Sequence, residues 1–303
     1  MKLDFKQDFK NPLWQNVAEI ICQRHNISHK TLTRAEHGES IVFLVDESFV
    51  VKIYVPFKNG REREQRALEV AQTSLILPEI IASGEFENFD YLITTRLRGE
   101  SMTRELWLKL DKKEQIEILA GLAEGLRELH CSDATHIDFD WHKFIERQAN
   151  TCFERQKSCG VNSGILESLP RFLEENLKLL PTNFEQVFLH GDVHFGNLRL
   201  LREKGHWKIS GLFDFADSLK GFREYDFIAV GLLMIQGQGE LQREFFRFFN
   251  YRNTEIDETL RRRLMLLTCF YEWSDLRRYA LRLRPEAVDY SLEELEKAIW
   301  NFN

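Results

Sequence analysis

The stretch FLHGDVHFGNLRLLREKGHWKISGLFDFADSLKGFREYDF, Phe188 to Phe227, decides how the rest of the chain is read. The apolar run Val187-Phe188-Leu189 leads into a polar turn that carries Asp192 and Asn197. Leu198-Arg199-Leu200 and Trp207-Lys208-Ile209 have the composition of two short strands, joined by the polar residues around Gly205. A hairpin brings its ends together, so Asn197 and Asp214 are expected side by side at its open mouth, with Asp192 just before them. Asp214 sits between Phe213 and Phe215. Oxygen atoms from two carboxylates and an amide suit a hard cation such as Mg2+, which takes waters and substrate phosphates as its remaining ligands. That layout points toward phosphoryl transfer.

His190-Gly191-Asp192-Val193-His194-Phe195-Gly196-Asn197 resembles the HGDxxxxN motif of the aminoglycoside phosphotransferase and choline kinase superfamily, whose members are relatives of protein kinases. Gly211-Leu212-Phe213-Asp214-Phe215-Ala216-Asp217 resembles the second motif of the same superfamily, IDF-x-x-D. His-Gly-Asp turns and Phe-Asp-Phe strand ends each occur in many folds; both together, in this order and spacing, are specific. The resemblance implies that Asp192 is the catalytic base facing the acceptor hydroxyl, and that Asn197 and Asp214 hold Mg2+ under the phosphates of ATP. It implies an α+β, bilobal, protein-kinase-like fold: a small N-terminal antiparallel-sheet lobe over residues 1–97 and a larger, mostly helical lobe over 98–303 that binds substrate. His190 is expected to organise the loop, and His194 is left without a role. Gly221-Phe222-Arg223-Glu224-Tyr225-Asp226 departs from the family's Gly-Asp-Pro-x-x-Asp, yet Asp226 keeps the final acid, which in relatives accepts hydrogen bonds from the catalytic loop.

Composition sets the outer bounds. A chain of 303 residues, 43% of them hydrophobic, can bury a sizeable core in two lobes. A net charge of -7 argues against a nucleic-acid partner, which would call for a basic excess, and is compatible with a cationic small molecule. Five cysteines, at 22, 131, 152, 159 and 269, form an odd set without a CxxC pair, so neither a disulfide framework nor a zinc site is indicated. The polar beginning MKLDFKQDFKNPLW and the lack of any long apolar run lead to the expectation of a cytoplasmic protein that does not enter a membrane. Oligomeric state is not legible.

Upstream of the motifs, Asn11-Pro12 and the spacing of Leu13, Val17, Ile20 and Ile21 predict a helix ending near Arg24. Strands are expected up to Arg34, over Ile41 to Val45 and over Phe49 to Val55. The turn Glu36-His37-Gly38-Glu39-Ser40 stands where kinase-like folds cover the phosphates, and Gly38 and Ser40 are the candidates for phosphate contact. Alternation puts Val51 and Ile53 on one face of the third strand and Lys52 on the other. A helix from Arg61 to Gln72 carries Glu64, Leu68 and Ala71 on one stripe, so Glu64 is the carboxylate expected to pair with Lys52. By resemblance to the family, that pair turns the ammonium toward the α and β phosphates. The strand ending in Thr94-Thr95-Arg96-Leu97-Arg98-Gly99 resembles the inter-lobe linker, with the Thr95 carbonyl and Leu97 amide meeting the adenine edge.

The second lobe reads as helices: Lys112 to His130, Trp141 to Lys157, Gly164 to Leu179, then Tyr225 to Ile235, Leu241 to Phe249, Asp257 to Leu283 and Ser291 to Trp300. His130 is expected to cap a helix end. Asp138 and Asp140 are read as N-terminal carboxylates rather than metal ligands. In Phe270-Tyr271-Glu272-Trp273-Ser274-Asp275, Glu272 and Asp275 are candidates for binding a cationic acceptor, while helical spacing assigns Phe270 and Trp273 to the core. An aminoglycoside is the leading expectation for the acceptor. An endogenous amino alcohol, homoserine or sugar is the alternative, and a non-catalytic nucleotide-binding or scaffolding protein is the alternative of another class. ATP and GTP are not distinguished.

Overall fold

The computed structural model describes residues 11–36, 38–56 and 59–302. His37, inside the expected phosphate-covering turn, and the polar beginning of the chain at 1–10 lie outside the described residues. Helix α1 (Leu13–Arg24) starts where the Asn11 side chain accepts a hydrogen bond from the Leu13 amide at 3.0 Å. Its apolar stripe of Trp14, Val17, Ala18 and Ile21 is buried. That stripe packs on a sheet built from β1 (Leu32–Arg34), β2 (Ile41–Val45), β3 (Phe49–Ile53), β4 (Ile80–Phe86) and β5 (Phe89–Thr95), with helix α2 (Gly60–Val70) between β3 and β4 in sequence. The sheet is antiparallel, in the order β1-β2-β3-β5-β4. Val51 and Ile53 enter its core with Ile41, Phe43 and Ile93, as alternation requires; Lys52 is turned to the opposite face.

After Gly99 the chain builds a second, larger core. The elements are β6 (Glu100–Ser101), α3 (Arg104–Lys109), α4 (Lys112–Leu129), α5 (Trp141–Ser158), α6 (Ser163–Asn176), β7 (Val187–Leu189), β8 (Leu198–Glu203), β9 (His206–Leu212) and β10 (Leu219–Gly221). There follow α7 (Asp226–Ala229), which runs on as a π-helical turn to Ile235, α8 (Gly239–Phe248), α9 (Glu258–Phe270), α10 (Leu276–Leu283) and α11 (Leu292–Ile299). Asp111 and Asp140 cap α4 and α5, accepting from the Glu114 and Lys143 amides at 2.8 and 3.0 Å. A small antiparallel-sheet lobe over a helical lobe is the bilobal, kinase-like architecture expected.

Three features were not legible in the pattern. β7 pairs with β10, and β6 adds a third strand to the β8–β9 hairpin; both pairings are non-local and too short to carry periodicity. The single helix expected over Asp257 to Leu283 is two, because the chain turns out of α9 at Tyr271, whose ψ is 136°. In consequence Phe270 is fully buried, whereas Trp273 is 44% exposed; the shared core assignment of these two rings is corrected by that break. Among the described residues no helix is long and apolar enough to cross a membrane.

Candidate active site

The hairpin does what its sequence requires. Leu198 pairs with Leu212, and the Phe213 amide donates to the Asn197 carbonyl at 3.1 Å, so Asn197 and Asp214 stand at the open mouth. Asp214 has φ 67° and ψ 68°, a left-handed turn that reverses its carboxylate out of the strand. Its Oδ1 lies 2.6 Å from Lys52 Nζ, which is also 2.7 Å from Glu64 Oε2. The Tyr54 hydroxyl donates to the same Glu64 oxygen at 2.6 Å. The side chain projected from the cleft face of β3 thus joins the buried carboxylate of α2 to the turn after β9. Burial by itself would lower the Lys52 pKa; the Asp214 and Glu64 carboxylates outweigh it and hold the ammonium above its ordinary value. Burial likewise opposes ionisation of Asp214, and Lys52 reverses that, keeping the carboxyl below its usual range.

The loop bearing Asp192 is fastened from beneath. Asp226, fully buried, accepts from the amides of His190 and Gly191 at 3.1 and 2.8 Å, with Phe222 and Arg223 standing where the family pattern has Asp-Pro. His130 Nε2 lies 2.9 Å from the same carboxylate, so the histidine expected only to end α4 also reaches into the loop's anchor. His190 Nδ1 accepts from the Asp192 amide at 3.2 Å, which leaves the proton on Nε2 to donate to the Phe213 carbonyl at 3.1 Å. That ring ties the Asp192 loop to the Asp214 turn. Gly191 has φ 86°, and a Cβ there would lie 2.4 Å from the Asp217 carbonyl oxygen, so no other residue fits.

Asp192 itself is held on three sides. The Asn197 side-chain amide donates to its carbonyl at 2.9 Å, the Tyr271 hydroxyl to Oδ1 at 2.6 Å, and His194 Nε2 lies 3.2 Å from Oδ2. His194 Nδ1 accepts from the Gly196 amide at 2.9 Å, so Nε2 is the protonated nitrogen facing the carboxylate. Burial would raise the Asp192 pKa; His194 first, and then Tyr271, bring it below the ordinary aspartate value. Asp217 moves the other way, pushed up to about 6 by burial and then by the carboxylates of Asp192 and Asp214.

Gly38, Ser40, Lys52, Glu64, Thr95, Leu97, Asp192, Asn197, Asp214 and Glu272 all line one cleft between the lobes. Asp275 is not among its lining residues; its carboxylate caps α10, accepting from the Arg278 amide at 2.8 Å. Glu272 is in the wall but is bound by Arg147 at 2.9 Å and Gln148 at 2.6 Å. Sequence reasoning missed Tyr271 and the contacts of His130 and His194. Tyr271 was hidden in an aromatic run that scans as continuous helix, His130 acts across 96 positions, and the contact of His194 with Asp192, two residues away, depends on how the turn folds rather than on any periodicity.

Among the described residues no group of three His, Cys, Asp or Glu side chains could hold a metal. The donor set of one carboxylate and one amide oxygen, from Asp214 and Asn197, is nonetheless what a Mg2+ ion sharing its shell with phosphates and waters takes from a protein.

A sequence model of the phosphotransferase enzyme family matches residues 31–265. No curated protein matches the chain. Among solved structures, the GDP complex of wild-type aminoglycoside 2'-phosphotransferase-IIIa superposes with a TM-score of 0.72 at 16% identity, over 96% of this chain and 99% of that one. The streptomycin-ATP complex of APH(2")-IIa gives 0.61 at 17% identity, over 92% and 97%. Aminoglycoside phosphotransferase APH(4)-Ia gives 0.63 at 17% identity, over 95% and 98%. With a family match over residues 31–265, and the fold of these kinase-like enzymes over 92–96% of its length, this chain belongs to the phosphotransferase enzyme family.

Proposed function

We propose that this protein transfers the γ-phosphoryl group of ATP to a hydroxyl of a small molecule. The observation that supports this most is a single one: Lys52 bridges Glu64 and Asp214 in the same cleft into which Asp192 is held by Tyr271, His194 and Asn197. Lys52 would secure the α and β phosphates, with Glu64 fixing its ammonium. Gly38 and Ser40 would cover the phosphates from the β1–β2 turn. At the linker, the Thr95 amide donates to Glu79 and the Arg96 amide to Ser48, on opposite sides of the strand. Alternation therefore returns the Leu97 amide to the Thr95 side, where it and the Thr95 carbonyl would meet the adenine. The division into lobes would fall there, with 1–97 carrying the nucleotide and 98–303 the acceptor.

Asn197 and Asp214 would hold Mg2+, which would supply neutralisation of the phosphate charge during transfer. Asp192 accepts a hydrogen bond from the acceptor hydroxyl and aligns its oxygen with the γ-phosphorus. The new O–P bond forms as the bond to the β–γ bridging oxygen breaks, ADP leaves, and the hydroxyl proton passes to the Asp192 carboxylate. A carboxylate held below its ordinary pKa is a weak base, which suits it to orient the hydroxyl and take the proton late. The structures named for aminoglycosides share 16–17% of residues with this chain, which carries the fold across and leaves the acceptor to be argued from the cleft itself. The test is ATP consumption with Mg2+ over a panel of hydroxyl acceptors. ATP bound tightly but consumed with none of them counts against the reading.

A further inference from the structure

The acceptor side of the cleft is basic, in a protein whose net charge is -7. Arg104, at the start of α3, and Arg278 and Arg282, one turn apart on α10, all line it. Among the described residues, none of the three has a carboxylate within ion-pairing distance, whereas Arg147 in the same wall is neutralised by Glu272. Arg104 is fixed in place: it is half-buried, and its Nη1 donates to the Met234 carbonyl at 3.0 Å. Burial first, and then the neighbouring guanidinium, lowers the pKa of both Arg104 (beside Arg282) and Arg282 (beside Arg278), so the three share one field. Like charges gathered against low-dielectric walls without a counter-ion are unfavourable on their own, and are relieved by an anion between them.

The arrangement also adjoins the reacting group. The loop at 271–275 gives the Tyr271 hydroxyl to Asp192, and α10 follows at once, its Tyr279 hydroxyl donating to the Trp273 carbonyl at 3.0 Å. Among the described residues the acid of the acceptor wall besides Asp192 is Glu272, already satisfied by Arg147 and Gln148, which leaves it poorly placed to draw in a cation. Resting on the phosphotransfer reading above, we propose that the acceptor is a hydroxyl compound carrying a carboxylate or a phosphate, held by Arg104, Arg278 and Arg282 while its hydroxyl faces Asp192. A planar guanidinium fork binds either group through two parallel hydrogen bonds, which a neutral or cationic acceptor cannot supply.

The experiment is steady-state kinetics with Mg-ATP on four sets of acceptors: hydroxy acids, sugar phosphates, the amides and free sugars matched to them, and amino sugars with amino alcohols. The preferred acceptor is expected to be an anion. Removing its charge by amidation or dephosphorylation should lower kcat/KM by about 10- to 100-fold, as the loss of a charge-assisted hydrogen bond does. The first two sets tell a carboxylate from a phosphate. Arg282→Ala should raise the acceptor KM by about tenfold with the KM for ATP as its folding control, and Arg282→Lys should restore part of the loss. An amino sugar or amino alcohol as the best acceptor would overturn the anionic assignment and leave phosphotransfer standing. Turnover of no acceptor at all would count against phosphotransfer instead. The anion site is then judged on its own by calorimetric titration of inorganic phosphate into protein saturated with a non-hydrolysable ATP analogue and Mg2+. Heat that disappears in the Arg278→Ala/Arg282→Ala variant supports the site, and the absence of heat in the unaltered protein refutes it.

Discussion

The two sides of the cleft are built by opposite means. On the proposed nucleotide side, Lys52 of β3 lies within 2.7 Å of both Glu64 of α2 and Asp214 of the turn after β9, each placed by a pattern written in a few consecutive residues. On the acceptor side, Arg104, Tyr271, Arg278 and Arg282 come from two helices and a loop, and the arginines lack carboxylate partners among the described residues. A phosphate-handling centre tolerates little change in spacing, so it is carried by short motifs. An acceptor wall needs only shape and charge, and can be assembled from any elements that meet at the cleft mouth.

The largest effect should come where the two sides meet. Asp192→Asn keeps the side chain's shape but removes the proton acceptor and one of the two hydrogen bonds accepted from Tyr271 and His194, and kcat is expected to fall by about a thousandfold or more with ATP affinity retained. Comparable loss of ATP binding would mean that Asp192 belongs to the nucleotide side alone, and would break the division. Next in size is Lys52→Met. It takes the shared cation from Glu64 and Asp214, so kcat/KM for ATP should drop by about 100-fold while the acceptor KM stays within about twofold. A rise in both would show the sides to be coupled.

Tyr271→Phe probes the acceptor side's hold on the Asp192 carboxylate. Its hydroxyl donates to Asp192 Oδ1 and helps keep that carboxyl below the ordinary range, so deleting it raises the Asp192 pKa. The acid limb of the kcat/KM profile should move to higher pH, with kcat down by about tenfold at neutral pH. A role in packing alone would lower activity without moving the limb.

How much of this could be read from the chain follows the same division. Asp192, Asn197 and Asp214 were legible because a hairpin's ends must meet, and the Leu198–Leu212 pairing delivers that. Lys52 and Glu64 were legible because period two and period 3.6 fix their faces. Tyr271 was not, since nothing in an aromatic-rich amphipathic run says that the helix stops at Phe270. Asp275 looked like a binding carboxylate and is a helix cap, a role equally available to any aspartate before a helical run. The arginines of α10 belong to no motif, and only the fold reveals that they line the cleft. His130 lies 96 positions from the Asp226 it touches, and no pattern within α4 could have announced the contact.

The smallest expected effect concerns the acid left over on the nucleotide side. Among the described residues no cation bridges Asp217 as Lys52 bridges Asp214, and its pKa is pushed up to about 6 by burial and by Asp192 and Asp214, from an ordinary 3.8. A carboxyl whose folded-state pKa is raised binds its proton more tightly in the folded chain. Its contribution is therefore fully present below about pH 4 and is lost as the pH rises through 6; above that, ionised Asp217 is a constant burden on the fold. A shift of about two units bounds the burden at roughly 3 kcal/mol, and contact with the open cleft reduces it to about 1–2 kcal/mol. Asp217→Asn removes the charge at constant shape. The Tm of the nucleotide-free protein should then rise by about 2–6 °C at pH 8, with the gain shrinking below pH 6 and vanishing near pH 4, where both side chains are neutral. Scanning calorimetry of the two proteins across that range measures it. A gain that persisted unchanged at pH 4 would assign the effect to packing, and Asp217 would then no longer distinguish this side, as a surplus acid, from the arginine-lined wall opposite.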